Sequence, residues 1–181
     1  MNLPFYTVGH STRTLEEFIE LLRTAKVEWV VDVRTVPRSR TNPQYNQETF
    51  PASLTRSGIG YEHIPQLGGL RAKSKTVSPD VNGFWENQSF HNFADYALSD
   101  TFHDGLGKLI ALGRKHRCAI MCSESVWWRC HRRIISDYLL IHGETVLHLM
   151  GYNRIETAHL TESASIQPPG LITYPTMARP G

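Results

Sequence analysis

Twelve consecutive residues, Cys122-Ser123-Glu124-Ser125-Val126-Trp127-Trp128-Arg129-Cys130-His131-Arg132-Arg133, bring thiols, a carboxylate, an imidazole, indoles and guanidiniums into one run. The run follows an apolar stretch of strand type and precedes a helical pattern, so it joins a buried strand to a helix. The free amides and positive dipole end of a helix start make a natural anion site, which Arg132 and Arg133 would reinforce. A thiol in that setting has a lowered pKa. Cys122 is therefore a candidate nucleophile, and Cys130 admits the same reading. Set against this is the common fate of a free cysteine as a small buried hydrophobe. Cys118 is expected in the core.

Two other segments carry chemistry next to apolar strands: Gly9-His10-Ser11 and Asp32-Val33-Arg34. Asp32 and Glu124 are candidates for acid or base work in a partly dry pocket. Either could instead pair with Arg34, Arg132 or Arg133 and hold loops together. His10 and His131 beside two carboxylates are further catalytic candidates. Ser11, Arg34, Tyr45, Trp127, Trp128 and Arg132 are expected to bind substrate, arginines holding phosphate and aromatics stacking a base. Arg38 and Arg40 add positive charge near Arg34. Gly68-Gly69 reads as a turn with positive φ or a close backbone approach to a ligand.

The spacing also limits the chemistry. Six residues separate Cys122 from Arg129, one more than in the phosphate loop of cysteine phosphatases and many rhodanese-like enzymes. Glu124 would place negative charge where a phosphate should sit. Cys122, Cys130 and His131 lack the second short-spaced pair of a structural zinc site, so no metal and no cofactor is expected. Residue types alone remain compatible with haem ligation.

The elements that must position these groups follow from periodicity. Phe5–Val8 and Trp29–Val33 read as buried strands on either side of a helix. That helix opens on the capping box Thr14-Leu15-Glu16-Glu17, with Leu15, Phe18, Ile19 and Leu22 on one face. This is the βαβ unit, which is right-handed and parallel in nearly all cases. Residues 34–87 form a loop-rich insertion punctuated by prolines at 37, 43, 51, 65 and 79, with a short helix near 47–56 and a strand at 61–64. Helices near 90–98 and 101–115, a strand at 118–122, a helix at 131–141 closed by Gly143, and a strand at 145–149 complete the pattern. The expected fold is α/β: one domain, residues 1–151, with a mostly parallel sheet flanked by helices. Residues 152–181 form a C-terminal extension, expected to be an extended tail because its end, 167–181, holds four prolines and two glycines. In open parallel sheets ligands bind at the carboxyl ends of strands, so the three loaded segments should share one rim.

A strand ending in Cys-x-Glu, then Cys-His-Arg opening a helix, resembles the best-marked motif of the DUF488 family. Thr7-Val8-Gly9-His10-Ser11, Asp32-Val33-Arg34 with Pro37 and Ser39, and Leu67-Gly68-Gly69 after Tyr61 agree with it, in order, over residues 5–149. The family name denotes a domain of unknown function, so the resemblance implies a fold and a site but no reaction.

The whole chain has 181 residues, 40% of them hydrophobic, and a formal charge of +2, too small to diagnose a nucleic-acid or membrane binder. Three clustered cysteines and no signal-peptide pattern point to a reducing, cytoplasmic setting without membrane contact. The expected function is a hydrolase acting on a phosphate-bearing substrate, a small molecule or nucleic acid, with N-glycosidic cleavage as one form. The alternatives are a cysteine-dependent phosphatase or sulfurtransferase, and a non-catalytic module for a nucleotide or haem-like ligand. The oligomeric state is left open.

Overall fold

The computed structural model describes residues 2–178. Its elements run β1 (Phe5–Gly9), α1 (Leu15–Thr24), β2 (Trp29–Asp32), α2 (Phe50–Arg56), β3 (Gly60–His63), α3 (Gln88–Tyr96), α4 (Asp100–Lys115), β4 (Cys118–Cys122), α5 (Arg132–Ile141), β5 (Val146–Gly151), β6 (Arg154–Thr157), β7 (Ser165–Gln167) and β8 (Leu171–Thr173). One six-stranded sheet has the order β3-β2-β4-β1-β5-β6, parallel except for β6. The fold is α/β.

Strand β4 sits between β1 and β2, and its sequence shows why. Cys118-Ala119-Ile120-Met121-Cys122 is apolar at every position and fully buried, as a central strand covered on both faces must be. The pleat sends alternate residues to opposite layers. Cys118, Ile120 and Cys122 join Phe5, Val31, Val146 and the inner faces of α3, α4 and α5. Ala119 and Met121 join Tyr6, Val8, Val30 and the inner faces of α1 and α2. The result is a sheet between two helical layers.

Helix α1 begins where the capping box places it. The Thr14 side chain accepts from the Glu17 amide, and the Glu17 side chain answers at the Thr14 amide. Residues 34–87 are loop-rich around α2 and β3, as the prolines suggest, yet Tyr45, Phe50, Leu54, Ile64, Leu67 and Trp85 from this stretch are buried.

The C-terminal extension is not the extended tail read from its prolines and glycines. Strand β6 pairs with β5, and β7 and β8 form a hairpin. Ile172 and Tyr174, two residues apart and so on one face, are fully buried. The Tyr174 hydroxyl donates to Asp137 at 2.8 Å and its amide donates to Asn82 at 2.9 Å. The Ile172 amide donates to the Tyr138 hydroxyl at 3.1 Å. Burying two large side chains with satisfied polar groups outweighs the local breaker signal. Residues 179–181 of that extension lie outside the described residues. No helix among those described is long and apolar enough to cross a membrane.

Candidate active site

The three loaded segments do share one rim, because β2, β4 and β1 are neighbours. The amides of Val33, His10 and Ser11 donate to the carbonyls of Met121, Cys122 and Ser123 at 2.9–3.0 Å, zipping the strand ends together. Gly9 is required here. A Cβ at that position would stand 1.8 Å from the Glu124 carbonyl oxygen, so only glycine lets the Cys122–Arg132 loop cross β1. Ser11 follows with φ of 49°, in the left-handed region, and its carbonyl lies 2.8 Å from His10 Nδ1.

The pleat then divides the candidates between two faces. Asp32 registers with Met121, not with Cys122, and so points toward the α1–α2 layer. It is fully buried and committed. Its Oδ1 accepts from the amide and Nε of Arg34, and its Oδ2 from Arg34 Nη2 at 2.7 Å and the Tyr61 hydroxyl at 2.6 Å. Burial, with the Asp32 charge next, holds the Tyr61 phenol protonated far above its usual range. Tyr45 is also buried; its hydroxyl donates to the Arg13 carbonyl and its ring stacks on His10 at 4.2 Å. Burial lowers the His10 pKa to about 4, so this imidazole is neutral. Asp32, His10 and Tyr45 thus form a structural knot behind the sheet rim.

The α5 face holds the thiols. Arg132, the first residue of α5, is 1% exposed and extends along the rim. Its Nε lies 3.0 Å from Cys122 Sγ and 3.4 Å from Cys130 Sγ, its Nη1 donates to Thr7 Oγ1 at 3.1 Å, and its Nη2 donates to the Glu124 carbonyl at 2.7 Å. No carboxylate among the described residues pairs with it. The two sulfurs are 2.7 Å apart. The α5 amide of Arg132 also donates to Cys130 Sγ, at 3.4 Å, so this helix start is occupied by a sulfur of the protein itself.

His131 completes the arrangement. Its Nε2 lies 2.9 Å from the Val33 carbonyl, which can only accept, so Nε2 carries a proton. That leaves Nδ1 facing Cys130 Sγ at 3.5 Å. Burial opposes a charged Cys130, but proton sharing with Cys122 and the charges of His131 and Arg132 bring it well below the usual thiol range. Burial and the same shared proton push Cys122 well above it. The two shifts run in opposite directions across the pair, while Arg132 Nε stands nearer Cys122 Sγ than Cys130 Sγ. Gly69 packs on the imidazole so closely that a Cβ would lie 2.6 Å from Nδ1. It thus meets a side chain of the protein, with no positive φ.

A cleft of about 520 Å³ opens over these sulfurs, lined by Arg34, Glu124, Arg129, Cys130, His131 and Cys122 among others. Arg34 is 6% exposed, and while its Nε and Nη2 hold Asp32, its buried Nη1 has no partner. Glu124 is exposed at the mouth of the cleft.

The model of the family described as domain of unknown function DUF488 matches residues 14–139. The chain belongs to the DUF488 family. No curated protein and no solved structure matches it. In this DUF488 chain the matched span carries Asp32, Cys122, Cys130, His131 and Arg132, while Thr7 and His148 fall outside it.

Of the remaining candidates, Arg38 lines the cleft, while Trp127, Trp128 and Arg133 are not among its lining residues. Trp127 stacks on His148 at 4.6 Å and donates to Glu156 at 2.9 Å. Trp128 is 39% exposed. Arg133 turns away from the rim to Trp85 and Thr161, and Arg38 pairs with Glu48 at the surface. Arg34, Arg38, Arg132 and Arg133 of this DUF488 protein therefore do not form one exposed basic face.

Sequence reasoning had no place for Thr7 and His148, which are buried and 2.6 Å apart on β1 and β5. Their signal was a polar residue interrupting an apolar strand, once in Tyr6-Thr7-Val8 and once in Leu147-His148-Leu149. Cys130, weighed beside Cys122, is the thiol that touches both His131 and the Arg132 amide. Among the described residues no cluster of three His, Cys, Asp or Glu side chains is arranged to hold a metal ion.

Proposed function

We propose that this protein is a cysteine-dependent enzyme acting on a small anionic molecule, with the Cys130 thiolate as nucleophile. The observation that carries this reading is Arg132: a guanidinium removed from water, without a carboxylate, touching two thiols. An unpaired charge in the interior costs several kcal/mol, on the order of 3–5 when a buried partner is lost. A thiolate supplies the missing charge, and a thiolate is the reactive form of cysteine. His131 Nδ1 either takes the thiol proton or returns one to a leaving group.

The anionic substrate follows from the cleft. Arg34 and the exposed Arg129 both line the cleft and give it the positive charge that a phosphate, sulfonate or carboxylate would meet. Acid–base catalysis by Asp32 is disfavoured, since both of its oxygens are occupied by Arg34 and Tyr61 and Asp32 itself does not line the cleft. Glu124, whose Oε1 accepts from Ser125 Oγ and the Val126 amide, stands at the mouth, where it would orient rather than attack the substrate.

The test is site-resolved alkylation at neutral pH with iodoacetamide, read by peptide mass spectrometry. Cys130 is expected to react first. Cys118, whose thiol burial pushes up to about 12, is expected to stay unmodified. Equal reaction of Cys130 in the native and a denatured control, or none in the native protein, would end the proposal.

A further inference from the structure

We infer that Cys122 is a second catalytic thiol that resolves an intermediate on Cys130, and that the substrate is a sulfur electrophile carrying an anionic group. This rests on Cys130 being the nucleophile.

The geometry narrows the chemistry in two ways. First, the sulfurs of Cys122 and Cys130 are in contact at 2.7 Å, both at the floor of the cleft. Any group placed on Cys130 Sγ is within immediate reach of Cys122. If that group were joined through carbon or phosphorus, a thiol attacking it would only pass it between cysteines. If it were joined through sulfur, attack on Cys130 Sγ would expel it and end in a Cys122–Cys130 disulfide. A contacting thiol pair is productive only in the second case. Second, Arg132 Nε bonds to both sulfurs, so negative charge can move from Cys130 to Cys122 without the cation moving. The positive side chains of Arg34 and Arg129 in the cleft lining supply the preference for an anionic group.

The steps balance as thiol–disulfide exchange. The Cys130 thiolate attacks R–S–S–R′, forming Cys130–S–S–R and expelling R′–S⁻. The Cys122 sulfur then attacks Cys130 Sγ, the Cys130–S–R bond breaks, and R–S⁻ leaves with the Cys122 proton as R–SH. Two protein thiols are oxidised to one disulfide while the substrate disulfide is reduced to two thiols. An external dithiol returns the site to its starting state. A persulfide R–S–SH enters the same sequence: Cys130 takes its outer sulfur and expels R–S⁻, and attack of Cys122 on Cys130 Sγ then releases hydrosulfide.

Two aromatic disulfides test the inference: the anionic dithiobis(nitrobenzoate) and the neutral dithiodipyridine, each in slight excess over the whole protein. Wild type is expected to release two equivalents of the anionic chromophore rapidly, leaving no adduct and a Cys122–Cys130 disulfide by peptide mapping. Cys122→Ser should release one equivalent and keep a stable adduct on Cys130, and Cys122→Ala gives the same comparison if serine disturbs β4. Arg129→Ala, at an exposed position, should slow the anionic probe several-fold relative to the neutral one. A stable adduct on Cys130 in wild type, or separate adducts on both cysteines, overturns the resolving role while leaving the nucleophile intact. Cys130→Ser reacting as fast as wild type overturns the nucleophile itself. An unchanged ratio of the two probe rates in Arg129→Ala overturns the anionic preference.

Discussion

The Thr7 hydroxyl and His148 Nδ1 stand 2.6 Å apart across β1 and β5. Thr7 Oγ1 also accepts from Arg132 Nη1 at 3.1 Å, so one hydroxyl joins the buried imidazole to the buried guanidinium. Burial, followed by the Arg132 charge, lowers the His148 pKa to about 4.

This makes the fold acid-sensitive. His148 and His10 both have pKa values near 4 in the folded protein against about 6.5 in the open chain. Between those values the unfolded chain binds more protons, so stability is full above about pH 6.5 and is lost as pH falls toward 4. Each histidine accounts for at most about 3 kcal/mol. Urea midpoints measured across that range should fall steadily, and His148→Gln should flatten the curve. A midpoint independent of pH would contradict the buried neutral state.

Gly69→Ala is expected to displace His131. The new Cβ would lie 2.6 Å from Nδ1, and overpacking of this kind costs about 1–3 kcal/mol. The informative readout is Cys130 alkylation, which should slow more than the modest loss of stability explains. Gly143→Ala offers a contrast, since its φ of 82° strains any side chain but no neighbour is met. It should destabilise without altering thiol reactivity.

Much of the scaffold was legible in the residues. Thr14 and Glu17 announced α1, the unbroken apolar run Cys118–Cys122 announced a central strand, and three chemically loaded strand ends announced a common rim. The face on which each side chain lies was not legible, because it depends on pairing between distant strands. Asp32 and Cys122 both end buried strands, yet Asp32 is level with Met121, and one residue of register separates opposite faces of a sheet. The tail was misread for a related reason. Its prolines and glycines are local signals, whereas the burial of Ile172 and Tyr174 depends on α5 and the loop at Asn82.

Arg132→Met should raise the thiol pKa of Cys130 by removing the cation that offsets the charge. One unit corresponds to tenfold in the thiolate fraction below the pKa, and a loss of about tenfold or more in alkylation rate at neutral pH is expected. Arg132→Lys should recover part of it, since a point charge reaches one sulfur but not the fork of partners that Arg132 holds. Wild-type reactivity in Arg132→Met would remove the central electrostatic argument.

Asp32→Asn should behave as a structural lesion. It leaves the buried Arg34 guanidinium without its carboxylate, which typically costs about 3–5 kcal/mol. Thermal melts should register the loss, while Cys130 alkylation in the remaining folded protein stays near the wild-type rate. Loss of thiol reactivity without loss of stability would return Asp32 to the chemistry.

The hairpin β7–β8 and Tyr174 bear on the order in which the site can be assembled. Helix α5, which begins with Arg132, is held at Asp137 and Tyr138 by residues 172–174. Strand β5, which brings His148 to Thr7, precedes them in the chain by only a short interval. During synthesis the amino-terminal strands, with Thr7 and Asp32, emerge long before these anchors. Until the anchors arrive, the two thiols lack a fixed cation and carry ordinary pKa values. The sulfurs enter the chain late, at Cys122 and Cys130, and they meet the fixed Arg132 guanidinium only once the strands that follow them have closed.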